Sequence, residues 1–231
     1  MTNFNTSVTV SYNGRSSVNA TALNDDDLAA NDINALNYAL TLENLEAYFY
    51  TTYLAMFNET DFEAANYSST VYTYFTLIMN HEIAHVAYLN STITSLGGTP
   101  VPPCNYTFNV STVEEFIETA RILENTGVNA YDGAIATLKY ILKNREKLMF
   151  CSNLDLRTAA ASVATVEARH AAYLNELLGF SAFPDDLDNA TQPAEIRDQI
   201  SPFIENCPYE ILVPSPALNG CLSKILRKFQ N

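Results

Sequence analysis

Four glutamates and two histidines recur in this 231-residue chain in a pattern that could hold metal. Glu82 and His85 form a Glu-x-x-His step within HEIAHVAYLN, and Glu167 and His170 form the same step within VEARHAAYLN. A single glutamate precedes each: Leu42-Glu43-Asn44 with Tyr50, then Leu123-Glu124-Asn125 with Tyr131. The chain thus carries an internal repeat that matches Glu43 to Glu124, Glu82 to Glu167 and His85 to His170. A three-residue step puts two side chains on one helix face, so that the Glu and the His of each pair can reach one ion.

Each acid stands inside an apolar stripe of helical period. Glu43 falls in line with Leu36, Leu40, Ala47, Tyr50 and Leu54, and Glu82 with His85, Phe75, Ile78, Leu89 and Leu96. Glu124 lies with Ile117, Ala120, Val128, Tyr131, Ile135 and Leu138; Glu167 lies with His170, Ala160, Val163, Leu174 and Leu177. No lysine or arginine shares these stripes. Burying an unpaired carboxylate is costly, so four of them in one core demand a cationic partner. Two divalent ions answer that demand, with Glu43, Glu82, His85, Glu124, Glu167 and His170 as ligands, and oxygen-rich ligation favours iron or manganese.

Three further residues belong to the same reading. Glu46 is an alternative to Glu43, because Tyr53 follows it as Tyr50 follows Glu43, but its counterpart in the repeat is Gly127. Tyr50 and Tyr131 lie two turns from the glutamate of their own helix, roughly 10.5 Å away. Each is therefore either a hydrogen-bond donor to a ligand on a neighbouring helix or an ordinary core aromatic. His81 adjoins Glu82 in sequence and points to a different face, which argues against a ligand role.

The elements that must position these residues are four long helical patterns, at 31 to 57, 69 to 96, 111 to 143 and 153 to 179. Ser111 followed by Glu114 reads as a capping box opening the third. Gly97-Gly98 and Pro100, Pro102 and Pro103 stop the second, and the segment GGTPVPPCNYTFNV extends to roughly 45 Å, enough to cross a bundle from end to end. Short turns between helices one and two and between three and four flank this crossover, giving an all-α four-helix bundle over 31–180. Residues 1–30 form a polar extension with a short strand expected at Ser7 to Tyr12. Residues 181–231 form a Pro-rich, disulfide-stapled tail around the bundle, with a short helix near Ala194 to Ile200 and a basic end, KILRKFQN.

Bulk composition excludes several function classes. Twelve basic against 26 acidic residues give a net charge of −14, which repels nucleic acid and anionic membrane surfaces. No apolar run reaches the roughly 20 residues of a membrane span. Asn-x-Ser/Thr sequons at Asn5, Asn19, Asn58, Asn66, Asn90, Asn105, Asn109 and Asn189 point to a secreted glycoprotein carrying N-linked glycans, its signal peptide lying outside the numbering. Cys104, Cys151, Cys207 and Cys221 form no zinc pattern and fit disulfides of an oxidising compartment. Three connectivities are open, of which Cys207–Cys221 with Cys104–Cys151 is favoured.

The glutamates and Glu-x-x-His pairs resemble the ferritin-like superfamily, and LNYALTLENLEAYFY and VEARHAAYLN resemble its desiccation-related branch, over residues 31 to 180. The resemblance implies one long crossover between helices two and three, and a di-iron or di-manganese bundle ligated by the six residues named above. It also implies redox chemistry toward oxygen or peroxide, as in oxidases, peroxidases and catalases of the superfamily. The alternative expectation is an extracellular structural glycoprotein, a homo-oligomer extended into a filament by donation of the Ser7 to Tyr12 strand, with the metal site stabilising the bundle. A third is a desiccation protectant, on resemblance alone.

Overall fold

The computed structural model describes residues 25–135, 140–144, 147–151, 154–211 and 214. The strand expected at Ser7 to Tyr12, with Asn5, Asn19, Cys221 and the segment KILRKFQN, lies outside them.

Four long helices carry the repeat. They are α1 (Asp25–Met56), α3 (Ser69–Ser95), α4 (Val113–Ile135) and α5 (Leu154–Leu177), and α2 (Glu59–Ala64) is a single-turn insertion between the first two. Helix α2 stands where a short turn was expected. Asn58 builds it: its side-chain oxygen accepts from the Thr60 and Asp61 amides, and Asp61 answers to the Asn58 amide, a reciprocal cap that closes a helix too short for periodicity to reveal. Phe62 then anchors α2 in the core.

Contacts along the helices fix their directions. On α1 and α3, Glu43 meets His85, Ile33 faces Ile93 across Gly98, and Tyr50 meets Phe75, so the pair is antiparallel. On α4 and α5, Arg121 lies over the Phe180 ring just beyond α5, and Glu124 meets His170, again antiparallel. Tyr50 reaches Glu124 and Tyr131 reaches Glu43, which makes α1 antiparallel to α4. Helices α3 and α4 therefore run the same way, and the chain between them must travel the bundle's length. It does so along α1: Asn37 holds Thr99 and Val101, and further on Tyr48 packs on Tyr106 and Tyr53 on Phe108. This cover explains why α1 is buried on nearly every side from Ala35 to Glu46.

The tail clamps the crossover. Strand β1 (Asn105–Tyr106) pairs antiparallel with β4 (Ile204–Asn206), which follows α6 (Pro193–Ile200) and a 3₁₀ turn at Ser201–Phe203. Beside this pairing Cys104 is bonded to Cys207. The expected pairing of Cys207 with Cys221 and Cys104 with Cys151 is thus corrected. Nearness in sequence suggested the former, whereas the β1–β4 register brings the crossover cysteine to the tail cysteine. Upstream, Thr191 donates its amide to Asn129 of α4, and Gly133 makes room for that strap, since a Cβ there would stand 1.8 Å from the Thr191 carbonyl oxygen.

Two other expectations are corrected. The third helix does not continue to 143 but ends at Ile135, and β2 (Tyr140–Asn144) and β3 (Lys147–Cys151) form an antiparallel hairpin before α5. Apolar triplets Tyr140–Leu142 and Leu148–Phe150 around a polar run are a hairpin pattern that a 3.6 period absorbs by accident. Its N-terminus is capped one residue late: Thr112 accepts the Glu115 amide, while the Glu115 carboxylate, not that of Glu114, takes the Ser111 amide and hydroxyl.

Of the described sequons, Asn58, Asn66, Asn105, Asn109 and Asn189 are exposed, whereas Asn90 lies within α3 and donates its side-chain amide to the Val86 carbonyl. No helix of the described residues is long and apolar enough to cross a membrane.

Candidate metal centre

The bundle core divides into two regions. Around the C-terminal half of α1 it is aromatic, with Phe49, Tyr53, Phe62, Phe75 and Phe116 in mutual contact. Around the N-terminal half it is small and aliphatic, built from Ala35, Leu36, Ala39, Leu89, Val163 and Ala164. Between them every long helix turns a polar group inward. Glu43, Glu82, Glu124 and Glu167 are each 0% exposed, and His170 is 6% exposed.

All six sequence-predicted ligands come together. Glu43, Glu82, His85 and Glu167 offer one group of donor atoms, and Glu82, Glu124, Glu167 and His170 a second, each group lying within 4.8 Å. The two groups share Glu82 and Glu167. Each histidine presents Nδ1 to the centre: that of His85 lies 3.2 Å from Glu43, 3.1 Å from Glu82 and 3.1 Å from Glu167, and that of His170 lies 3.1 Å from Glu124 and 3.2 Å from Glu82. One N–H cannot serve three carboxylates at once. Convergence of this kind is how donors gather around a cation.

The orphaned atoms make the same point. Both oxygens of Glu167 and one of Glu82 are buried without a hydrogen bond, although a histidine nitrogen stands nearby off axis. Among the described residues no lysine or arginine pairs with any of these glutamates. Desolvated, uncompensated carboxylates of this kind destabilise a fold. Four glutamates and two imidazoles, with unfilled lone pairs between them, fit a pair of divalent ions.

Without metal, protons substitute for cations. Burial lowers the pKa of both histidines, but the adjacent carboxylates of Glu167, Glu43 and Glu82 overcome this and raise His85 to about 12, and those of Glu124 and Glu82 raise His170 to about 9. Burial pushes Glu43 up to about 7 and Glu167 well above the usual carboxylate range. Glu82, also buried, is pulled down to about 2 by the adjacent His170 and His85.

The tyrosines act across helices. Tyr50 donates to Glu124 at 2.6 Å, and Tyr131 donates a short hydrogen bond to Glu43. Burial, then the adjacent carboxylate, raises both phenols well above their usual range, so they remain donors. Each tyrosine thereby holds the terminal glutamate of the other half.

Two contacts exceed what spacing indicates. His81 is exposed, yet its Nδ1 lies 2.9 Å from His170 Nε2 with the rings stacked 5.2 Å apart. Adjacency to Glu82 concealed its reach to α5. Glu46, only 3% exposed, stands with the other glutamates rather than replacing Glu43. Its three-residue step from Glu43 was the available signal.

Comparison with known proteins agrees with this geometry. The family model described as "Ferritin-like domain" matches residues 31–180, the span read from the motifs. Protein rds1 of Schizosaccharomyces pombe (strain 972 / ATCC 24843) is 26% identical over 182 residues, which are 78% of this chain and 40% of that protein, so the chain spans about two fifths of its relative's length. With a family match over most of its length and helices arranged around duplicated carboxylate and histidine donors, the chain belongs to the ferritin-like domain family, as a protein whose clusters fit metal binding.

Proposed function

We propose that this chain is a secreted dinuclear metalloprotein of iron or manganese acting on dioxygen or peroxide. The observation that carries the reading is the pair of overlapping donor groups sharing Glu82 and Glu167. In it Glu82 and Glu167 would be shared between the ions, Glu43 with His85 would hold one ion, and Glu124 with His170 the other. Bound there, such a pair of ions would supply redox equivalents to a small oxidant.

The protein's own part is to orient and exclude. Tyr131 and Tyr50 fix Glu43 and Glu124 through hydrogen bonds from the opposite half. The aromatic region shields the centre on one side. On the other lies an apolar cavity lined by Ala35, Ala39, Ala134, Ala160, Val163 and Tyr131. Secretion is supported by the Cys104–Cys207 bond and the exposed sequons.

The test is metal analysis of full-length protein purified without chelator, followed by dioxygen and peroxide consumption of the iron-loaded and manganese-loaded forms. Two ions per chain and a turnover lost in Glu82→Ala are expected. Loaded protein inert toward both oxidants would eliminate the redox reading, and protein that takes up no metal would eliminate the whole of it.

A further inference from the structure

The repeat is broken at one position inside the core. Glu46 follows Glu43 by three residues, and Gly127 follows Glu124 by three. Both therefore face the cluster from their own helix. A Cβ placed on Gly127 would lie 3.1 Å from Glu46 Oε1 and 3.3 Å from Glu167 Oε2. The carboxylate of one half thus lies over the space that the glycine of the other leaves, next to an orphaned oxygen of Glu167.

Nothing else accounts for an acid there. Glu43 and Glu124 are each held by a tyrosine, but no described residue hydrogen-bonds Glu46. Glu46 is only 3% exposed, so its carboxylate is held away from water at a cost in stability. A helix position packed against a glycine accepts alanine or leucine without this cost.

We propose that Glu46 is a seventh protein ligand of the dimetal centre, admitted by Gly127 and making the two metal positions unequal. The inference rests on the metal-centre reading above. Glu46 would donate from the Gly127 side of the cluster, beside the shared Glu167.

The experiment is a manganese(II) titration of metal-free full-length protein by calorimetry, comparing wild type with Glu46→Ala, Glu46→Asp and Gly127→Ala. Aspartate keeps the charge but withdraws the carboxylate by one methylene, so it separates ligation from field effects. Losing even an outer-shell partner costs about 10–100-fold in metal affinity. Glu46→Ala and Glu46→Asp should each weaken one binding step by at least about tenfold and leave the other in place. Gly127→Ala, which crowds the carboxylate out, should weaken the same step while thermal melting shows a folded chain. A Glu46→Asp loss of less than tenfold overturns the proposal, because charge alone would then suffice. Wild type that binds no manganese would instead remove the metal centre itself, a different failure from two normal steps in every variant.

Discussion

The two helix pairs each carry the same three donors, Glu, Glu and His, in the same order but surround them differently. The α1/α3 pair adds two groups that its counterpart lacks: Glu46, where α4 has Gly127, and His81, where α5 has Val166. Both reach across the repeat boundary, Glu46 toward Gly127 and Glu167, His81 to His170. The first half supplies chemistry and the second makes room for it. Duplication alone would give two equivalent donor groups; on the proposed reading these departures would make the two ion positions different.

The largest effect should separate shared from terminal ligands. Glu82→Ala or Glu167→Ala is expected to empty both positions, whereas Glu43→Ala or Glu124→Ala should leave one ion per chain after dialysis against manganese or iron. Metal content by mass spectrometry decides it. Retention of one ion in Glu167→Ala would mean that the halves bind independently.

A second effect concerns the metal-free protein and pH. Folded-state pKa values are raised at His85, to about 12, and at His170, to about 9, from an ordinary value of 6.5. Their stabilisation is complete below about pH 6.5 and is lost as pH rises, by about 9 for His170 and only near 12 for His85, which faces one more carboxylate. Glu43, raised from 4.5 to about 7, acts in the same sense over that lower window. Glu82, lowered to about 2, favours folding as pH rises, but only between about 2 and 4.5. The melting temperature of the metal-free chain should therefore fall steadily from pH 5 to 9, and metal should abolish the trend because ions replace the protons. Equal slopes with and without metal would show that these groups are not linked to folding.

Much of the centre was legible because burial of charge leaves a strong mark: a glutamate in an apolar stripe is conspicuous, and two Glu-x-x-His steps in one repeat order more so. The crossover was legible from Gly97-Gly98 and the prolines after it. What escaped depends on partners distant in sequence. Cys104 meets Cys207 through a strand pairing of two or three residues on each chain segment. The hairpin after Ile135 passed as helix because its apolar triplets satisfy either period over so few residues. His81 was assigned by its own helix, and its ring reaches another.

The smallest effect isolates that last contact. His81 is exposed, so His81→Val, which copies the α5 residue Val166 into α3, should change stability by no more than about 0.5 kcal/mol. It removes the group 2.9 Å from His170 Nε2, the nitrogen turned away from the centre, whose hydrogen bond sets ring orientation and the basicity of Nδ1. Affinity should fall by about tenfold for the ion on the Glu124 and His170 side, identified as the step missing in Glu124→Ala, while the other step stays unchanged. Both steps unaltered would show that His81 merely stacks on His170, leaving Glu46 as the sole source of inequality between the halves. Both steps weakened alike would mean that the shared glutamates transmit the change, so that neither position can be tuned alone.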